Sequence, residues 1–150
     1  MAQTFYSITV EIRASPRIVW SVMADVERWP EWTPSVTRIK RLTPGPLRVG
    51  SRLRIHQPKL PPAFWRVIEA VPDSHFVSVS KVPGVRVTAR HSAERISAGA
   101  RVTLSIHYEG LLGPLLARLT HRVNERYLAM EANGLKTRCE ELTADAGDVA

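Results

Sequence analysis

The stretch from Val85 to Glu109 constrains this chain more than any other. Val85, Val87, Ala89, His91 and Ala93 share one parity, Val102, Leu104, Ile106 and Tyr108 share another, and a turn signal lies between them at Ala98-Gly99. Period-two alternation on both sides of a short turn is the pattern of a β-hairpin with one dry face. A turn centred on Ala98-Gly99 sets residue 91 opposite 106 and 89 opposite 108. Both apolar sets then face the same side, and Arg90, Ser92, Glu94, Thr103, Ser105 and His107 are left to water. A hairpin with a dry face must be covered, so the remainder of the chain is read for what it supplies as neighbouring strands and as cover.

Neighbouring strands are plentiful. "FYSITVEI", residues 5 to 12, alternates Tyr6, Ile8, Val10 and Ile12 against Phe5, Ser7, Thr9 and Glu11, which predicts a half-buried first strand. Ser15-Pro16 then offers a capping hydroxyl and a first-turn proline ahead of Val19, Met23 and Val26, so a short helix is expected over about 16–25. "DVERWPEWTPSV" carries Trp29 and Trp32, two of the four tryptophans, between Pro30 and Pro34. Those prolines forbid a long helix and leave a second broken helix or helical turn. From Val36 to Tyr108 short strands are punctuated by "TPGP", "PKLPP", "VPDS", "VPG" and "SAGA", the pattern of an antiparallel meander. Within it "AFWRVIEAV" has apolar residues on both parities, so alternation does not fix its inward face.

The cover is a helix expected over about 112–142, in which Leu112, Leu115, Leu116, Leu119, Val123, Tyr127, Met130 and Gly134 fall within one arc of the helical wheel. At about 1.5 Å per residue it is roughly 45 Å long, enough to cross a whole sheet. Asn133-Gly134 inside it costs about 1 kcal/mol against alanine and points to a bend or a close backbone contact. The expected class is α+β: a curled six- to seven-stranded antiparallel sheet around one long C-terminal helix, with two short helices after the first strand. One domain over 1–143 and a flexible tail over 144–150 follow. A sheet curled round a single helix leaves space that ordinary side chains do not fill.

Several classes are set aside by composition. No run approaches the roughly 18 consecutive apolar residues of a membrane span, and "MAQTFYSITVEIRA" lacks the basic and apolar segments of an export signal, so a cytoplasmic protein is expected. Cys139 is the only cysteine, which excludes an internal disulfide and a cysteine-based zinc site. The five histidines show no i, i+4 pairing, and neither a metal nor another cofactor is expected. The net charge of +7, from 21 basic and 14 acidic residues, is spread along the chain rather than gathered in one block. No nucleic-acid partner is therefore expected, while transient contact with an anionic membrane surface is compatible with such a surface. The oligomeric state is not encoded in any of these features.

"ASPRIVWSVMADVERWPEWTPSV", "FWRVIEAVP", "YEGLLGPLLARL" and "RYLAMEANGLK", in that order, resemble the polyketide cyclase/dehydrase-like branch of the START/Bet v 1-like superfamily. The resemblance covers nearly the whole chain and implies the helix-grip fold, with a hydrophobic cavity between sheet and long helix. Members of that superfamily include lipid and sterol carriers, binders of plant metabolites, and aromatic polyketide cyclases. The resemblance thus implies binding of a small hydrophobic ligand such as a lipid, polyketide or aromatic metabolite, for transport or sequestration. A cyclase or dehydratase is the first alternative, and an interaction module with a basic surface the second.

In that fold the two short helices form a V, which Trp29 and Trp32 would pin while bordering the cavity entrance. His91, a titratable ring on an otherwise apolar parity, is the sharpest candidate for meeting a ligand or moving a proton. Tyr108 and Tyr127 offer hydroxyls that would converge with it, and Gln57 an amide at the cavity edge. Trp65 is placed inward by the resemblance, with Met130 as a compliant wall on the helix. Each of these residues also has a reading as plain core. "LTPGPLRVGSR" holds only Gly45 and Gly50, a departure from the glycine-rich loop of some relatives that argues against a phosphate-binding role. No residue is assigned a catalytic role.

Overall fold

In the computed structural model, which describes residues 3–148, the alternating segments form a single seven-stranded antiparallel sheet. The strands are β1 (Phe5–Ile12), β2 (Arg38–Arg41), β3 (Arg52–His56), β4 (Ala63–Val71), β5 (His75–Val82), β6 (Val85–Ile96) and β7 (Gly99–Glu109). Their order is β1-β7-β6-β5-β4-β3-β2, so the first strand joins the far edge of the meander. The β6–β7 hairpin turns at Ser97-Ala98, with Ile96 paired to Gly99, His91 to Leu104 and Ala89 to Ile106. That register differs by two residues from the expected one. The shift preserves the faces, because the side-chain period is two. Gly99 starts β7 instead of closing the turn, with φ of 145°. A Cβ there would stand 2.7 Å from the Ala14 amide nitrogen, so the end of β1 packs directly on its backbone.

The mixed parity of β4 has a local cause. The pairing of β4 with β5 slips between Val67 and Glu69, and the extra residue moves the inward set from Trp65 and Val67 to Ala70. Phe64, Arg66 and Ile68 are exposed on the outer face. A bulge of this kind breaks simple alternation while leaving each half of the strand correctly patterned.

Ser15 caps helix α1 (Pro16–Ala24), its Oγ accepting from the Ile18 amide at 3.3 Å, and Val19, Val22 and Met23 are buried beneath it. A 3-10 turn (Val26–Glu31) follows with Pro30 inside it. Trp29 Nε1 donates to the Met23 carbonyl at 3.0 Å, folding the turn back on α1. The Arg41 guanidinium donates to the Ala24 carbonyl at 3.2 Å and to Gly45 at 3.0 Å, fixing the same elbow to β2.

The C-terminal cover is two helices, not one. α2 (Gly113–Leu119) and α3 (His121–Asp148) meet at Thr120, whose hydroxyl donates to the Leu116 carbonyl at 2.8 Å. α3 continues beyond 143, so residues 144–148 of the expected tail are helical, and 149–150 lie outside the described residues. The face that α3 buries also differs from the expected stripe. Asn124, Glu131, Ala132, Leu135 and Cys139 are buried and Leu128 packs against the core, whereas Leu112, Leu115 and Leu119 are exposed. At 100° per residue the buried arc lies about 120° round the helix from Val123, Tyr127, Met130 and Gly134. The buried arc admits polar residues because the opposing sheet presents partners for them, Tyr108 to Asn124 and His91 to Glu131.

Cys139 sits on that arc with its thiol buried, and burial pushes its pKa up to about 12. Alkylation of the folded protein at pH 8 is expected to run at least about a hundredfold slower than that of a free thiol, since the thiolate is the nucleophile. The rate should become normal in denaturant, as followed with a chromogenic thiol reagent.

Candidate functional site

Between the concave face of the sheet and α3 lies a cavity of about 90 Å³. Its walls are mostly apolar: Trp29 from the 3-10 turn, Ile39 from the edge strand β2, Leu53, Trp65, Phe76 and Ile106 from the rest of the sheet, and Leu128 from α3. Two ionisable groups enter it, His91 from β6 and Glu131 from α3. Their Nε2 and Oε1 atoms are 2.5 Å apart, a contact spanning sheet and helix, and both residues are buried. The His91 ring stacks on Phe76, with centroids 4.6 Å apart and planes at 6°, and Trp29 lies 5.1 Å away on a tilted plane. The imidazole is therefore held by two aromatic rings and a carboxylate.

An ionised carboxylate can only accept, so the Nε2 proton faces Glu131 and Nδ1 becomes the free position of the ring. Nδ1 is buried without a hydrogen-bond partner, and so is Nε1 of Trp65. Buried polar atoms are nearly always satisfied, and two orphans in the wall of one cavity mark where a bound group would be recognised. Trp65 Nε1 only donates, whereas Nδ1 of a neutral imidazole accepts. The chemistry offered is that of an apolar molecule with one oxygen acceptor and one hydroxyl or enol donor. Gln57 and Ser78 add polar groups to the lining. Among the described residues no group of three His, Cys, Asp or Glu side chains is arranged to hold a metal.

Of the residues expected at the ligand, the structure brings Trp29, Gln57, Trp65 and His91 to this cavity. The others lie elsewhere. The Tyr108 hydroxyl donates to Asn124 Oδ1 at 3.0 Å and lies 3.1 Å from Thr120 Oγ1, holding the α2–α3 junction to β7. Tyr127 is half-buried and its hydroxyl donates to the Pro58 carbonyl, which bolts the β3–β4 loop to α3. Trp32 and Met130 line a groove on the outer flank of α3. Glu131 is a site residue that hydrophobic periodicity does not single out. Its signal is visible in hindsight: with Asn124 it shares the arc of Leu128, Ala132, Leu135 and Cys139, a helix face on which a carboxylate needs a partner.

Comparison with known proteins agrees with this architecture. The family model described as "Polyketide cyclase / dehydrase and lipid transport" matches residues 4–140. Among solved structures, a START superfamily protein from Mycobacterium smegmatis is 21% identical with a TM-score of 0.71, the match covering 93% of this chain and 99% of that one. The Zhui aromatase/cyclase from a Streptomyces species is 18% identical with a TM-score of 0.76, covering 95% and 97%. A hypothetical protein from Helicobacter pylori is 14% identical with a TM-score of 0.75, covering 92% and 89%. At such identities the structural likeness concerns the fold alone. No curated protein matches the chain.

Proposed function

The chain belongs to the polyketide cyclase/dehydrase and lipid transport family, and from that premise we propose that it binds a small hydrophobic molecule, such as a lipid chain, a polyketide or an aromatic metabolite, in the cavity between sheet and α3. The observation that carries this reading is the pairing of apolar walls with two unpartnered buried polar atoms, His91 Nδ1 and Trp65 Nε1. Apolar area supplies the affinity, and the two nitrogens fix the orientation of an oxygenated end.

Size sharpens the reading. The cavity, at about 90 Å³, is smaller than the roughly 150 Å³ that suffices for benzene. The closed form accepts the tip of a chain or a very small ring, and anything larger requires a wall to move. The β3–β4 loop, tied to α3 through Tyr127 and Pro58, is the wall held by a single side-chain hydrogen bond.

The His91–Glu131 pair favours a second reading, an acid–base enzyme acting on an enolisable polyketide. A carboxylate that orients an imidazole while leaving the far nitrogen free is the arrangement a general base needs. Native mass spectrometry of protein purified from its own host is expected to show a co-bound apolar compound. A wild type that carries nothing and takes up neither fatty acids nor aromatic ligands, as followed by Trp29 and Trp65 fluorescence, would remove both readings. The double variant His91→Phe/Glu131→Leu separates them: affinity changes less than about tenfold if binding is the function, whereas turnover falls about 100-fold or more if the pair is catalytic.

A further inference from the structure

The most exposed apolar surface lies at the opposite end from the α1 elbow. Leu111, Leu112, Leu115 and Leu119 are 96%, 50%, 55% and 73% exposed. Leu115 and Leu119 on α2 and Leu112 at its N-cap fall within about 60° of one another on the helical wheel, turned away from the buried Gly113 and Ala117. The Leu112 amide donates to the Gly84 carbonyl at 2.9 Å, and its side chain fills the space a Gly84 Cβ would occupy, at 2.8 Å. The leucines thus continue into the tip of the β5–β6 hairpin, where Val82 is 54% exposed.

That tip is basic. Lys81 and Arg86 stand directly opposite each other across the hairpin, and Arg52 and Arg66 do the same across β3 and β4 on the same outer face. Like charges placed directly opposite across two strands are destabilising, and none of these four cations, nor Arg118 on α2, has an ion-pair partner among the described residues. Of the carboxylates at this end, Glu109 stands opposite Arg86 on β7 with its Oε1 turned to His107 Nδ1 at 3.2 Å, and Glu125 lies 3.2 Å from His121 Nε2.

We propose that this end of the molecule docks on an anionic lipid bilayer, with the α2 leucines and Val82 entering the interface and Lys81, Arg86 and Arg118 meeting the headgroups. Protruding leucines ringed by free cations match the two components of an interfacial site, apolar insertion and attraction to anionic lipid. A second copy of the chain fits less well, because the four leucines expose only about two thirds of the ~800 Å² per partner that a stable interface buries. Nucleic acid would use the cations and leave the leucines in water. The docking is independent of what the cavity holds.

The test is flotation with phosphatidylcholine vesicles containing phosphatidylglycerol, against pure phosphatidylcholine vesicles, at moderate salt. Wild type is expected to float with the anionic vesicles and not with the neutral ones. Leu115→Asp/Leu119→Asp should weaken that binding at least tenfold, and Lys81→Glu/Arg86→Glu should abolish it; all four positions are exposed, and unchanged melting temperatures show that the variants fold. Absence of flotation, or flotation indifferent to the leucine pair, overturns the proposal. So does a wild-type dimer in sedimentation that the leucine variant splits, or retention on RNA by a protein that ignores vesicles.

Discussion

Gly134→Ala is expected to be strongly destabilising, although the change adds only one methyl group to a helix. A Cβ at position 134 would overlap the Trp32 carbonyl oxygen, stand 2.9 Å from the carbonyl carbon and 3.2 Å from Cε3 of the Trp32 ring. Two backbones meet there, and neither has a flexible end that can swing aside. Alanine would gain about 1 kcal/mol of helix propensity over glycine, which in an open helix would make it stabilising. Here the gain is outweighed, because α3 and the 3-10 turn must separate, loosening the Arg138–Glu31 ion pair of 2.6 Å that spans them. Overpacking of this kind costs more than the propensity returns, and a net loss of about 2–4 kcal/mol is expected. For a chain of this size that is a fall of roughly 5–15 °C in melting temperature by calorimetry. The adjacent Asn133→Ala, on the exposed side of the same turn, is the control and should be neutral or slightly stabilising. Equal melting temperatures for Gly134→Ala and wild type would mean that the turn does not seat on α3 as described.

This contact also shows what was legible in the sequence. A glycine in a long helix announces a close approach without naming the partner, and "DVERWPEWTPSV" announces a rigid elbow without naming its seat; the structure joins the two. The strands were legible because alternation is local. The β6–β7 pairing was two residues off because a turn signal spread over "SAGA" does not say whether Gly99 closes the turn or starts the strand. The buried face of α3 was not legible. Hydrophobicity alone selects the arc with Tyr127 and Met130, yet the protein buries the arc with Asn124 and Glu131, since each of those meets a partner from a distant strand, Tyr108 and His91. Pairing over that distance leaves no periodic trace. The leucines of α2, grouped with that stripe by their spacing, are set free of it by the break at Thr120.

The His91–Glu131 pair yields the second large effect, and its signature is asymmetry. His91→Phe keeps the ring volume and the stack on Phe76 but strands a carboxylate in an apolar wall, which is expected to cost about 3–5 kcal/mol. Glu131→Leu strands an imidazole that can stay neutral, so the loss is that of one unsatisfied donor, about 1–3 kcal/mol. The double variant removes both polar groups and leaves an apolar contact of similar volume, so its stability should lie within about 1 kcal/mol of wild type and far from the sum of the singles. Urea titrations of the four proteins at pH 7 measure every term. Additive losses at pH 7 would show that the two side chains do not interact, and with that the geometric basis for any proton transfer at Nδ1 would be gone.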